Sequence, residues 1–437
     1  MIGGIKRRLA EEGGSWTALA RRILRRLTGS DFARKVAETY GTRIIGILLG
    51  LVTSVIVTRI LGPEGRGRFA VAMALTGIGI QFGNLGLQSS NTYYVAKDRR
   101  LLPGVLGNSL VVAFGMGGLG ALITWFLFAL FPSWAPTQGL LLVLALVAIP
   151  LGLGNLLLQN LLLGLQKIRA YNTIELTLKI VSVALIALLI LAKSVNAETL
   201  FGVSLACFVL ALAWLGWILR GNLAGKRPVF SVALLKEHMG YGMKAYLGAF
   251  FGFLVLRSDL LLVQHLKGDE ASGYYSIASN MADYLYQLPT VMGLVIFPKL
   301  ASMTDLREKW HMARRAALGL ALLMVPICAL AALLAGPAIH LMFGAKFLPA
   351  VPSFMILCIG MFFYGVNNMF ANFLSASDYP WFAVHVWWIG LLLNIGLNLA
   401  WIPRYGIEGA AWSSVVCYGL VLALDLWYAR RLVGRAA

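Results

Sequence analysis

The sequence is poor in charge. Asp, Glu, Lys and Arg make up 13% of its 437 residues, whereas 59% are hydrophobic and the mean hydropathy is +0.79. Soluble domains carry about a quarter charged residues, so the composition excludes an ordinary soluble domain and indicates a polytopic membrane protein. Acidic residues are scarcer still, 18 against 37 basic ones, for a formal net charge of +19. In a soluble protein that excess would suggest nucleic acid. Here the basic residues fall mostly between apolar spans, where they set membrane orientation, and no nucleic-acid partner is expected. Cysteine is limited to Cys207, Cys328, Cys358 and Cys417, all within apolar spans and without CxxC or CxxH spacing. That excludes a disulfide framework and a zinc site, and leaves small packing residues. Walker, HExxH and nucleophile-elbow motifs are missing, so no cofactor, metal or catalytic residue is expected and the chain does not read as an enzyme. No cleavable apolar leader precedes the first span, and no segment alternates as a barrel strand does.

Long apolar runs are what the sequence has instead. Crossing about 30 Å of hydrocarbon takes about 20 helical residues, which places spans near 40–61, 69–96, 105–130, 139–163, 172–192, 199–219, 240–266, 271–297, 313–335, 349–374, 380–401 and 408–430. The expected fold class is therefore all-α, with twelve transmembrane helices. With the N-terminus in the cytoplasm, 28 Lys and Arg fall on the inner side and 7 on the outer side. An even helix count then puts both termini inside, in a multi-pass cell (inner) membrane protein. Four segments result: a basic N-terminal segment at 1–39, six helices over 40–219, a basic cytoplasmic linker at 220–239, and six helices over 240–437. Six being even, the two halves are parallel repeats. In the first segment Trp16, Leu19, Ala20, Ile23, Leu24 and Leu27 share one helical face opposite Arg21, Arg22, Arg25 and Arg26, the pattern of an interfacial helix on the lipid bilayer.

A repeat supports the two halves. GPEGRGRFAVA at Gly62 to Ala72 aligns without gaps to GDEASGYYSIA at Gly268 to Ala278, pairing Gly62 with Gly268, Glu64 with Glu270, Gly67 with Gly273 and Ala72 with Ala278. In the same register Gln81 pairs with Gln287. The second copy lies in the run Arg257 to Pro298, whose YYSIAS…LP…FP pattern, together with LGPEGRGRFA and with GIEGAAWSS at Gly406 to Ser414, resembles the polysaccharide transporter branch of the multidrug/oligosaccharidyl-lipid/polysaccharide (MOP) exporter superfamily. The resemblance implies a V-shaped pair of six-helix bundles around a central cavity, acting as a flippase. Its substrate would be a lipid-linked oligosaccharide or polysaccharide precursor, moved from the cytoplasmic to the outer leaflet by alternating access. Glycan-assembly proteins are possible partners. The alternative within the superfamily is a cation-coupled multidrug antiporter, but Ile44 to Ile60 contains no carboxylate for ion coupling. A membrane glycosyltransferase or ligase would need a sizeable soluble domain, and the outer connections are short.

Candidate site residues follow from the cost of burying charge. Arg257, Asp259 and Asp283 sit in spans, where an ionisable group costs several kcal/mol by insertion scales. Arg257 and Asp259 point about 160° apart on a helix, so they do not pair with each other. Arg257 and Asp283 differ in depth by roughly 4 Å, which a guanidinium bridges. Either this is a permanent pair fixing two helices, or Arg257 lines the cavity and takes the carrier's diphosphate with Asp283 as its partner in between. Gln81, Asn84 and Gln88 share a helical face, and Tyr284 and Gln287 offer matching amide and aromatic chemistry for saccharide hydroxyls. Arg43 and Lys179, the latter in i, i+4 register with Glu175, form a candidate inner mouth for anionic headgroups. Asn367, Asn368, Asn372, Asn394 and Asn398 read as helix contacts. Pro150, Pro289, Pro326 and Pro352 are candidate kinks.

Overall fold

The structure is a computed structural model that describes residues 31–223, 225–377 and 379–435, with the side chains of 31–40, 42–44 and 241 outside that description. The interfacial-helix expectation for residues up to Leu27 therefore lies outside the described residues. Among those described, the chain is helical and contains no strand, and nine helices are long and apolar enough to cross a membrane. Their outward surfaces are apolar: Leu191, Leu322 and Leu333 are each more than three-quarters exposed.

Three of these helices are much longer than a bilayer requires: α1 (Asp31–Asn84), α8 (Val232–Leu285) and α13 (Trp381–Arg435). Each contains one glycine outside helical geometry, at Gly62 (φ 66°, ψ −178°), Gly268 (φ 86°, ψ −175°) and Gly406 (φ 60°, ψ −140°). A side chain strains that backbone region, so glycine is what lets the chain reverse between two apolar runs. Each long helix covers two of the expected spans. The others are α2 (Leu87–Lys97), α3 (Leu102–Leu110), α4 (Gly117–Leu130), α5 (Gly139–Gly164), α6 (Ile168–Leu191), α7 (Ala197–Arg220), α9 (Gln287–Ser302), α10 (Leu306–Leu333), α11 (Ala335–Phe343) and α12 (Ala350–Ser375). A six-residue π-helical turn, Val111–Met116, joins α3 to α4. Pro150 and Pro326 sit inside continuous helices. Breaks come at Leu85 and Gly86, both at positive φ, and at Tyr286, within the turn before Pro289, whose missing N–H cannot bond to the Leu285 carbonyl.

The repeated turns pack on each other. A β-carbon at Gly67 would lie 1.8 Å from the carbonyl oxygen of Asp269, and one at Gly273 would lie 1.9 Å from that of Pro63. Asp269 is the aligned equivalent of Pro63, so the contact is reciprocal about a local two-fold. Arg59 reinforces this end by donating from Nε to the Met342 carbonyl (2.8 Å) and from Nη2 to that of Leu341. The other ends of the same helices also meet. The Tyr246 hydroxyl donates to the carbonyls of Gln81 (3.1 Å) and Phe82 (2.9 Å), and the His238 ring stacks on Tyr94 at 4.0 Å. Burial holds the His238 imidazole below its ordinary value, against an opposing influence from Glu237.

The linker is ordered along its second half. Asn108 on α3 donates to the Ser231 carbonyl and accepts from the Ser231 amide, and Val229 N–H donates to Pro103. The largest apolar cluster is in the second half: Tyr275, Leu320, Met369, Ala410 and Tyr418, among others, pack with Ala70, Val71 and Ala74 of α1. The first half is held by separate clusters around Leu161, Phe201 and Leu157.

Candidate functional site

Two adjoining cavities border α1 and α8, the first of them also walled by α6 and α7. One, of about 380 Å³, is lined by Gly50, Thr53, Ser54, Arg66, Ser182, Asp283, Tyr284 and Gln287, among others. The other, of about 340 Å³, is lined by Arg66, Met73, Phe253, Arg257, Ser276 and Asn280, among others. Arg66, Phe69 and Asn280 border both.

Arg257 and Asp283 meet across the hairpin formed by α8. Nη2 of Arg257 lies 2.8 Å from Oδ2 of Asp283, and their side chains are 30% and 32% exposed. The pair is thus neither sealed in a core nor on an outer surface. It uses one nitrogen of a fork that carries five donors, leaving the rest of the guanidinium edge for a second acceptor. Tyr284 and Gln287 line the cavity beside Asp283, on either side of the break at Tyr286. Four of the residues singled out from sequence, Arg257, Asp283, Tyr284 and Gln287, are therefore brought to one place.

Arg66 is the residue that sequence reasoning missed. It was counted among the basic residues of an outer loop, but it is 6% exposed and its Nε has no hydrogen-bond partner among the described residues. Its guanidinium carbon lies 5.8 Å from the centre of the Phe69 ring. A buried cation without a carboxylate partner is costly, and here two guanidinium groups share the wall of the second cavity while Asp283, the one acidic side chain lining either cavity among the described residues, lies on the wall of the first. The available signal was its place in the repeat, where the aligned residue is the small Ser272.

Other expectations are corrected. Asp259 does not line either cavity: it is 3% exposed in the core of the second half, and its carboxylate accepts from the Tyr275 hydroxyl, the Leu260 amide (2.7 Å) and Ser414 Oγ (3.3 Å). The opposed helix phase of Arg257 and Asp259 is the reason. The common face of Gln81, Asn84 and Gln88 survives only between the last two: the helix breaks at Leu85 and Gly86, both at positive φ, and across that break Asn84 donates from Nδ2 to Gln88 Oε1 (3.4 Å) and accepts from the Gln88 amide (3.0 Å). None of the three is among the lining residues of these cavities, so the aligned Gln81 and Gln287 have different surroundings. Lys179 pairs with Glu175 at 3.0 Å, and its Nζ would be 2.7 Å from a β-carbon at Gly46. It thus sits one helical turn beyond the cavity residues Ser182 and Gly50. The side chain of Arg43 lies outside the described residues.

A family model described as polysaccharide biosynthesis protein matches residues 56–352. The chain belongs to that family. Within it, the chain is similar to the succinoglycan biosynthesis transport protein ExoT of Rhizobium meliloti, 26% identical over 386 residues that cover 86% of this chain and 75% of ExoT. It is also 26% identical over 215 residues to the uncharacterized membrane protein MJ1068 of Methanocaldococcus jannaschii, a match covering 48% of this chain and 42% of that protein. It therefore spans less than half the length of that archaeal relative. Among solved structures, the inward-facing conformation of a multidrug resistance MATE family transporter of the MOP superfamily superposes with a TM-score of 0.71 at 13% identity, over 89% of this chain and 95% of that one. That likeness establishes a MOP-type membrane fold. ExoT is named a transport protein, in keeping with a family member that is not an enzyme.

Proposed function

We propose that this family member is a flippase. It carries a saccharide linked to a polyprenyl diphosphate from the cytoplasmic to the outer leaflet of the cell membrane by alternating access and delivers it to glycan-assembly proteins outside. The observation that carries the reading is the pair Arg66 and Arg257 on the wall of one cavity, with Asp283, which holds Arg257 and lines the adjoining cavity, as the one carboxylate lining either among the described residues. Two guanidinium forks and one acid leave a net positive wall, suited to bidentate capture of a diphosphate. Without substrate, Asp283 holds Arg257. An arriving diphosphate competes for that guanidinium, and release of the Asp283 contact couples loading to movement of α8. Arg66 follows closer to the hairpin end and offers the anion its next partner on the way out. Tyr284 and Gln287 meet the first sugar hydroxyls, and Lys179 stands at the inner mouth.

The membrane arrangement is part of the same proposal. Dividing α1, α8 and α13 at Gly62, Gly268 and Gly406 turns nine apolar helices into twelve spans, six over 40–219 and six over 240–437, joined by the 220–239 linker. The charge bias places both termini in the cytoplasm and the hairpin contact of Gly67 with Gly273 on the outer side. Its relationship to a succinoglycan transport protein supports the choice of a glycan cargo over a drug.

Deleting the gene should make one lipid-linked glycan accumulate on the cytoplasmic leaflet. Restoring the wild-type gene should clear it, and restoring Arg257→Gln should not. Drug sensitivity without glycan accumulation would overturn the reading in favour of an antiporter.

A further inference from the structure

A third cavity, of about 440 Å³, lies within the second half between α8, α12 and the start of α13. Phe253 borders both this cavity and the one that holds Arg66 and Arg257, so the two cavities adjoin at that residue. The chemistry changes there: among the described residues the third cavity has no Lys, Arg, Asp or Glu in its lining. It has amides and aromatic faces instead. Asn372 Nδ2 donates to the backbone oxygen (2.7 Å) and side-chain oxygen (3.0 Å) of Asn368, and Asn368 Nδ2 donates to the Tyr286 hydroxyl (2.8 Å). The Tyr286 ring stacks on Tyr364 at 4.3 Å, and Tyr364 meets Trp387 edge-on at 5.9 Å.

The sequence reading treated these asparagines as helix contacts, and part of that holds. A β-carbon at Gly293 of α9 would lie 2.7 Å from Asn368 Oδ1 and 2.8 Å from Asn372 Nδ2, so packing fixes both amides. Packing does not account for the cavity, nor for the Oδ1 of Asn367, which lines it and is 2% exposed: its side chain bonds to the buried Asp425, but that oxygen has no hydrogen-bond partner among the described residues. A buried amide oxygen left unpaired costs about 1–3 kcal/mol, and an interior normally closes over such a void. Fixed amides beside stacked rings are the combination that recognises a neutral sugar: hydroxyls for the amides, apolar C–H faces for the rings. The volume is within the roughly 300–1,000 Å³ of small-ligand sites.

We propose that this cavity is a saccharide subsite, taking neutral sugar rings distal to the diphosphate while the headgroup sits at Arg257 beyond Phe253. This rests on the flippase reading and adds to it that the protein measures the length of its cargo.

The test uses purified full-length protein in liposomes containing a polyprenyl diphosphate that carries either one hexose or five. Sugar reaching the outer leaflet is read by its oxidation with membrane-impermeant periodate. Two variants disturb the cavity differently: Asn368→Leu with Asn372→Leu removes both amides together, and Ala249→Leu fills the space while leaving every amide in place. The expected result for each is about a tenfold slower transfer of the five-sugar lipid, with the one-sugar lipid moved at the wild-type rate. Arg257→Gln should slow both lipids alike. Equal loss on both lipids in the two cavity variants, or no loss on either, overturns the subsite. Wild-type protein that moves neither lipid overturns the flippase reading itself, a distinguishable failure.

Discussion

The hairpins built around Gly62 and Gly268 are two copies of one device put to different uses. Both reverse at a glycine with positive φ, and both press a second glycine, Gly67 or Gly273, onto the backbone of the other. Beyond the turn they diverge. The second hairpin carries Arg257, Asp259 and Asp283, whereas the first brings a buried Arg66 where the second has Ser272. What the copies share holds the two halves together, and of what they do not share Arg66, Arg257 and Asp283 line the cavities between them while Asp259 is buried in the core of the second half. Repeats thus separate scaffold from site in a single chain.

The strongest way to break the comparison is at its shared point. Gly67→Val or Gly273→Val drives a side chain into a carbonyl that neither turn can move aside, and each should cost about 3 kcal/mol or more. The check is the melting temperature of the purified protein in detergent. Gly65→Ala, whose β-carbon would meet only the Leu61 side chain at 3.2 Å, should stay near wild type.

The unshared positions should separate function from stability. Arg257→Gln should lower transfer of a lipid-linked saccharide about a hundredfold, the range for losing a charge-assisted bidentate contact, with little change in melting. Arg257→Lys should keep the Asp283 pair and still transport poorly, because an ammonium lacks the fork; wild-type transfer in that variant would leave only a structural pair. Asp259→Ala should do the reverse: stranding the Tyr275 and Ser414 hydroxyls costs about 1–3 kcal/mol of stability, read from the same melting curve.

Smaller effects sharpen the asymmetry at the far ends of the hairpins. His238, on the second hairpin, is buried against Tyr94, and burial depresses its pKa below 6.5. Its contribution to stability is therefore complete above the ordinary imidazole value and declines as pH falls below it, because the unfolded state then binds the proton more readily. Melting temperature should fall from pH 7 to pH 5, and His238→Phe should flatten that part of the slope while keeping the stack. Lys179, half exposed beside the first hairpin at Gly46, should matter least: Lys179→Gln should change stability by under about 0.5 kcal/mol.

Much of this was legible in the sequence. Hydropathy gave the helical membrane class, the repeat located both turns, and the expense of charge in hydrocarbon singled out Arg257 and Asp283. Asp259 was assigned to the cavity although its helix phase, opposite Arg257, pointed it elsewhere. Arg66 was passed over because a basic residue near a turn normally counts as loop charge, and only packing shows that it is buried. Gln81, Asn84 and Gln88 were placed on a cavity face by assuming an unbroken helix; Asn84 and Gln88 do meet, but Gly86 between them was the signal that the helix breaks there.

Composition and periodicity by themselves determine that this chain lives in a bilayer as helices, because the hydrocarbon leaves an unpaired backbone no alternative. They also determine where it turns, because only glycine accepts those backbone angles without strain. Tertiary structure alone decides which polar groups become a site. A guanidinium, a carboxylate and an amide are equally polar wherever they fall in the chain. Whether each ends in a core beside Tyr275, in a cap across a helix break or on a cavity wall beside Arg257 depends on which helices pack against it.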